Sequence, residues 1–317
     1  MNLANNPLIS IIIPTRDRPE VLRQCIEHIL SQGYRPYEII VVDNSTDEVT
    51  HKVLAEFPDV IQIRETRTNS NPAHLRNLGL GQSKGEILAF IDDDTLVQPG
   101  WLTNLVRAYE DPTVGGASGR VLQDDAPPVD SRDVGIFNPR RGQIYNFNCT
   151  LTETFELDFL AGCNASFRRT ALERVGGYDP AYGIICEEQD LSFRVRQAGY
   201  RLIFQEGMDV YHAIAPRPCQ VVQRTKGSQD FNTRLANCRS LTYFWLKYFG
   251  VDWHYLWNSL LYWPLGDLKR CMLARSKNLF LHAMATHFGG WLGIVLWIRW
   301  YACRRRNWSL LAALVRK

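Results

Sequence analysis

The sequence predicts an α/β fold: a mostly parallel sheet with helices on both faces, followed by a mainly helical, aromatic and basic C-terminal extension. Three observations predict it. Short, almost wholly apolar runs recur at residues 8–13, 38–42, 60–63 and 86–91, as expected of strands buried on both faces. Segments with apolar residues at helical spacing lie between them, the alternation of a doubly covered sheet. Finally, the composition changes near Gly250. Residues 251–317 hold ten Lys/Arg against two acidic residues, so residues 1–250 of this +3 chain carry −5. The expected organisation is therefore a catalytic or binding domain over 1–250 and a separate segment over 251–317.

The elements follow in order. "LISIII" is a β-branched strand. In "TRDRPEVLRQCIEHILSQ", Asp17 and Glu20 are spaced as N-cap and N3 of a capping box, with Pro19 in the first turn. Val21, Leu22, Cys25, Ile26, Ile29 and Leu30 then mark one face of that helix. "EIIVV" and "VIQI" are the next strands, "PAHLRNLGLGQS" a helix from Pro72, and "EILAFI" the fourth strand. A helix from about Gly100 and a strand near Gly116–Leu122 complete the series. With 45% hydrophobic and 22% charged residues, the chain has material for an ordinary globular core. None of the eight cysteines forms a CxxC pair, which excludes a zinc ribbon or a redox motif. The N-terminus lacks a basic stretch before its short apolar run, so it reads as a strand rather than a signal peptide, and a reducing cytosolic compartment is expected.

In such sheets ligands bind beyond the carboxyl ends of the strands. Those ends carry Thr15, Arg16 and Asp17, then Asp43, Asn44 and Ser45, then Asp92, Asp93 and Asp94. Three adjacent carboxylates repel one another. Either they form a solvated turn, or a hard cation such as Mg2+ or Mn2+ relieves the repulsion and bridges to phosphate. There is no GxxxxGK[ST], so backbone amides and a lysine do not cradle that phosphate here. A second acidic group opens "CEEQDLSFRVRQAGYRL", a short helix beginning near Glu188 or Gln189. Asp190 and Arg194 have ion-pair spacing, so these acids suit either a well-capped surface helix or a reactive group.

Four stretches in this order resemble family 2 glycosyltransferases of the GT-A fold, covering about residues 7–215: "SIIIPTRDRPEVLRQCIEHILSQ", "YEIIVVDNSTD", "LRNLGLGQSKGEILAFIDDDTLVQPGWL" and "FLAGCNASFRRTALERVGGYDPAYGIICEEQDLSFRVRQAGYRLIF". The resemblance implies an inverting, metal-dependent hexosyl- or deoxyhexosyl-transferase using a nucleotide-diphosphate sugar and a saccharide or lipid-linked acceptor. It places Pro14, Thr15, Arg16 and Asp43 at the nucleotide, and Arg76 and Asn77 as the family's "RN" pair near the donor. Asp92 and Asp94 become the acids of a DxD motif holding Mn2+ or Mg2+, with Asp93 in the variable middle position on the donor side and His212 a further metal ligand. Glu188 becomes the catalytic base within an "ED-x-D" element, where glutamates here replace the usual aspartate. Glu187 and Asp190 then lie on the acceptor side with Gly162 and Asn164. The loop "NSNPAHL" departs from the family, which has smaller residues before "RN".

The residue types suit that chemistry. A carboxylate takes the proton of the attacking hydroxyl, while a cation stabilises the departing diphosphate, so no general acid is required. A non-catalytic nucleotide-sugar-binding or scaffold protein of the same fold is the alternative. "QRTKG" (223–227) lacks the tryptophan of a processive QxxRW motif, which points to single addition. In the tail, 278–298 is a run of twenty-one residues without Asp, Glu, Lys or Arg, followed by Arg299 and Arg304–Arg306. Aromatic residues beside such a cluster fit a segment lying on an anionic cytoplasmic leaflet, and a single span stays open at this stage. No groove-reading or stacking motif for nucleic acid accompanies the basic charge.

Overall fold

The computed structural model describes residues 6–67, 70–123, 127–138, 142–183, 185–213, 231–249 and 277–314. "QRTKG" and the aromatic stretch "WHYLWNSLLYWP" (253–264) lie outside the described residues, as does the boundary expected at 250. The chain forms two compact units, one of residues 1–180 with 187–221, the other of 181–186 with 222–317.

The first unit is built on an eight-stranded sheet. Its strands are β1 (Ile9–Thr15), β2 (Tyr37–Asp43), β3 (Ile61–Arg64), β4 (Ile87–Phe90), β6 (Val114–Ser118), β10 (Phe155–Glu156), β11 (Ala165–Arg168) and β12 (Arg201–Phe204). They run in the order β10-β12-β6-β11-β4-β1-β2-β3. The pairs β1–β2, β2–β3, β1–β4 and β6–β12 are parallel. The α/β class stands, but β11 enters antiparallel between β4 and β6. The sheet is therefore mixed at its centre, a feature that the apolar runs do not encode. All four residues of β4 are buried, as the continuous run required.

Helices α1 (Pro19–Leu30), α2 (Val49–Leu54), α3 (Pro72–Gln82), α4 (Trp101–Ala108), α5 (Arg169–Val175) and α6 (Glu187–Gln197) accompany this sheet. The expected capping box on α1 does not form. Arg18 is the N-cap, without a side-chain cap, and Asp17 adopts a left-handed backbone with φ 53°. Asp17 instead ties two strand ends together: its carboxylate accepts from the Thr46 N–H, and its own N–H donates to Ser45 Oγ. On α3, Asn71 caps as a side-chain acceptor for the His74 N–H, and Pro72 occupies the first turn.

The strand predicted at 116–122 divides in two. β6 stays in the main sheet, whereas β7 (Val121–Leu122) joins β5 (Thr95–Val97) and β13 (Val210–His212) in a three-stranded sheet ordered β5-β13-β7. A hairpin of β8 (Ile136–Asn138) and β9 (Gly142–Ile144) completes the unit's strands. In the second unit, α7 (Phe231–Phe249) packs along the 38-residue α8 (Lys277–Leu314). Their close approach needs the absence of side chains at Gly289 and Gly293, where a Cβ would lie 2.6 Å from the carbonyl oxygens of Leu235 and Arg239. Among the described residues no helix is long and apolar enough to cross a membrane.

Register places the site. Thr15 lies opposite Asp43 and Phe90 opposite Ile12, so three parallel strands end together. Ala165 opposes Phe90 on the antiparallel side, which brings the start of β11 to the same edge. α3 presses onto β1 through Gly79, where a Cβ would stand 2.4 Å from Ile12 Cγ2. Gly79→Val is expected to destabilise the fold by about 1–3 kcal/mol through overpacking. Urea denaturation checks this, and an unchanged midpoint would contradict the close packing of α3.

Candidate active site

Two arginines organise the acidic strand end. The side chain of Arg76, on α3, is only 4% exposed. Its guanidinium donates to Asp92 Oδ1 at 2.9 Å and to Glu187 Oε1 at 3.2 Å, and it lies over the Tyr178 ring at 5.4 Å. Burial alone would favour the neutral guanidine, but Asp92, Tyr178, Glu187 and Glu188 hold the charge and raise its pKa. Arg18, at the start of α1, donates to Asp93 Oδ1 and reaches Asp94 Oδ2 at 2.7 Å.

These contacts assign the middle aspartate. Asp93 is buried, and its second oxygen accepts from Thr15 Oγ1 at 2.7 Å. Burial pushes its carboxyl up to about 6, against the pull of Arg18. It fastens the strand end to β1 and α1 and offers nothing outward.

Each neighbouring aspartate has one oxygen on an arginine and the other directed at His212. His212 Nε2 is 3.1 Å from Asp94 Oδ1 and 4.0 Å from Asp92 Oδ2. The pairing of β13 with β5 produces this meeting, because His212 lies opposite Thr95 and the Ala213 N–H donates to the Asp94 carbonyl. Ligand atoms of Asp92, Asp94 and His212 all lie within 4.8 Å of one another. Two atoms bound to one ion at ~2.1 Å are ~3 Å apart at a right angle and ~4.2 Å when opposite, so both distances to His212 lie in the range for a shared cation, and the widest separation of the set would close slightly around one. Burial disfavours the imidazolium of His212, but Cys163, Asp94 and Asp92 outweigh it and raise the group to about 11. The same His212 and Arg18 contacts hold the Asp94 carboxyl below the usual range, against the effect of its burial.

The second acidic group sits at the start of α6. Glu187 is buried against Arg76, and Asp190, wholly buried, pairs with Arg194 at 2.7 Å. Arg194 also donates to the Val175 carbonyl, tying α6 to α5. Asp190 thus follows the ion-pair reading rather than the acceptor side. Glu188 is the half-buried member. Burial and the adjacent Glu187 carboxylate push its pKa well above the ordinary value. Gly162 faces it, since a Cβ there would stand 3.6 Å from Glu188 Cδ.

Three further expected residues are engaged elsewhere. Asn164 is fully buried; it accepts from Trp101 Nε1 at 2.9 Å and donates to the Met208 carbonyl at 2.8 Å. With both ends of its amide bonded inside the core, it does not line the acceptor side. The Asn77 amide pairs with the backbone N–H and carbonyl of Tyr178. The Arg16 side chain is 42% exposed beside Asp17, while Arg18, two residues on, is the arginine that enters the cluster. Pro14 is half-buried next to Thr15. Asp43 is buried and accepts from the Ser45 N–H.

A Rossmann-like sheet whose strand ends gather paired acids and a histidine is the GT-A arrangement. Over 98% of its length the chain shares this fold, at TM-score 0.54 and 19% identity, with 82% of the mannosyltransferase PcManGT of Pyrobaculum calidifontis, solved with GDP-Man and Mn2+. The chain belongs to glycosyl transferase family 2, whose description matches residues 10–176. It is 26% identical over 225 residues to the glucosyl-dolichyl phosphate glucuronosyltransferase of Haloferax volcanii, covering 65% of this chain and 69% of that protein. It is also 26% identical over 212 residues to the O-antigen biosynthesis protein RfbC of Myxococcus xanthus, covering 62% of this chain but only 16% of that much longer protein.

Asn164→Ala is expected to lower stability by about 1–3 kcal/mol, by leaving the Trp101 indole N–H and the Met208 carbonyl without partners. Thermal unfolding checks this. Full stability with weakened acceptor binding would return Asn164 to the acceptor side.

Proposed function

We propose that the chain transfers a sugar from a nucleotide-diphosphate sugar to a hydroxyl of a saccharide or lipid-linked acceptor, with inversion and one sugar per encounter, in polysaccharide or glycolipid assembly. The observation that carries this reading is Arg76. It bonds both Asp92 and Glu187, which supports reading the acids suited to a leaving group and those suited to a nucleophile as parts of one site.

Glu188 is the base in this reading. It takes the proton of the acceptor hydroxyl as that oxygen attacks the anomeric carbon from the side opposite the diphosphate. Its raised pKa makes it a stronger proton acceptor than an exposed glutamate. Thr15, Asp43 and Pro14, at the joined ends of β1 and β2, face the nucleotide. Asp92, Asp94 and His212 would hold Mn2+ or Mg2+, and the mixed oxygen and nitrogen set favours manganese, since magnesium prefers oxygen throughout. When bound, the cation supplies Lewis-acid stabilisation to the departing diphosphate. The GDP-Man and Mn2+ in the Pyrobaculum structure and the glucosyl-dolichyl phosphate in the name of the Haloferax relative support the substrate classes.

Glu188→Gln is expected to cut transfer by about 10²–10⁴-fold while nucleotide-sugar binding survives. Asp94→Ala should abolish stimulation by manganese. Rates with a nucleotide-sugar panel, and calorimetric titration of Mn2+, check both; normal turnover in the glutamine variant would move the base to another acid. Because Glu188 must be ionised, transfer should fall on the acid side at a pH above the ordinary glutamate range.

The C-terminal helix supports peripheral attachment at an anionic, cytoplasmic membrane face. Along α8, Leu281, Phe288, Trp291, Leu292, Val295 and Ile298 are exposed, and the arginines at 304–306 follow in sequence. The full chain is expected to sediment with phosphatidylserine-containing liposomes, less so in high salt, and Phe288→Ser with Val295→Ser should weaken this. Equal sedimentation by both proteins would remove α8 from the contact.

A further inference from the structure

Among the described residues of the first unit, the exposed large apolar side chains are Leu30, Val49 and Tyr145, and only Tyr145 is aromatic. The residue is 40% exposed, yet its ring is held in place. It stacks on Phe159 at 6.0 Å and 26°, and Phe147 meets it edge-on at 5.3 Å and 73°. Both supporting rings are buried. The hydroxyl end is engaged: it bonds to the Gly162 backbone, and burial together with the nearby Cys163, Glu188 and Asp92 raises the phenol. The phenol is therefore neutral and fixed at its hydroxyl end, on a residue that is nonetheless exposed.

Its side of the cleft follows from the sheet order. The ends of β1 and β2 lie on one flank of β4, and β11, which Gly162 directly precedes, lies on the other. Through its bond to Gly162, which faces Glu188, Tyr145 belongs to the β11 flank rather than to the flank of Thr15 and Asp43. A group on that flank meets the molecule that gives its proton to Glu188, not the nucleotide base.

A pyranose presents one face of C–H bonds with slight positive charge, and an aromatic face is slightly negative. Such a ring therefore selects a sugar by its apolar face and leaves the hydroxyls free to be aimed. Resting on the transferase reading, we propose that Tyr145 is the stacking platform for the acceptor's terminal pyranose, setting its attacking hydroxyl towards Glu188. The acceptor's recognised end is then a sugar ring rather than the hydroxyl of a lipid or an amino acid.

Saturation-transfer NMR on the full chain, with UDP or GDP, Mg2+ and methyl glycopyranosides of the gluco, galacto, manno and rhamno series, tests this. In the wild-type chain the C–H protons of one pyranose face are expected to receive saturation. Tyr145→Ala and Tyr145→Leu should weaken the best glycoside about tenfold, while Tyr145→Phe and Tyr145→Trp hold it within about threefold, with nucleotide affinity unchanged throughout. The leucine variant keeps an apolar contact on Phe159 should the alanine variant fail to fold. No glycoside binding by the wild-type chain, equal affinity in the leucine variant, equal loss in the phenylalanine variant, or a loss confined to nucleotide binding would each overturn the platform. Glycoside binding through Tyr145 by a chain that turns over no nucleotide sugar would instead sink the transferase reading and leave the platform standing.

Discussion

The structure depends on Arg76. Five carboxyl groups, Asp92, Asp93, Asp94, Glu187 and Glu188, converge at one edge of the sheet, and such a set disrupts a fold unless cations share the space. Arg76 stands between the two groups, and Arg18 closes the far side of the first. Buried pairs of this kind add little net stability relative to apolar packing. Their consequence is geometric. By occupying one oxygen of Asp92 and one of Asp94, the guanidinium groups leave the other two to face His212. Burial raises the Asp93 carboxyl, and burial with the adjacent Glu187 raises that of Glu188, whereas His212 and Arg18 hold Asp94 low. An imidazolium offers no lone pair, so His212 carries its proton or ligates a cation, not both.

Topology supplies what local sequence could not. Asp94 and His212 are 118 residues apart and meet because β13 pairs with β5. Gly162 reaches Glu188 because β11 runs antiparallel beside β4, so that its start coincides with the ends of the parallel strands. The antiparallel insertion is thus more than an exception to a parallel sheet. It brings the Gly162 turn to the edge where the acids gather, and the hydroxyl end of Tyr145 bonds to that turn.

Most of the frame was legible in the residues. The apolar runs, the helix starts at Pro19 and Pro72 and the acidic strand ends are local patterns, and the structure contains them. The failures share a cause. Arg16 and Arg18 differ by two positions in a loop, and the left-handed backbone at Asp17 decides which of them turns inward. Asp17 carries the right residue type for a cap but spends its carboxylate on Thr46, a partner 29 residues away. Asn164 and Asn77 sit in motifs suggestive of ligand contact, yet their amides satisfy buried groups at distant positions. Tyr145 had no signal at all, because an exposed ring in an irregular stretch gains meaning only from Phe147, Phe159 and Gly162 around it.

The choice among the three acids of α6 shows helical periodicity deciding chemistry. Successive residues turn by about 100°, so Glu187, Glu188 and Asp190 cannot share one environment. Glu187 faces Arg76, and its carboxylate is engaged by that buried guanidinium. Asp190 faces Arg194 and is fully buried, with no path to a substrate hydroxyl. Glu188 faces Gly162, is half-buried, and has its carboxyl pushed upward by burial and the adjacent Glu187. The extra methylene that glutamate brings in place of aspartate extends that carboxyl towards the cleft from a helix start already anchored by its neighbours. The anchoring pairs and the proposed base are therefore one device: Glu187 and Asp190 fix the rotation of α6, and that rotation presents Glu188.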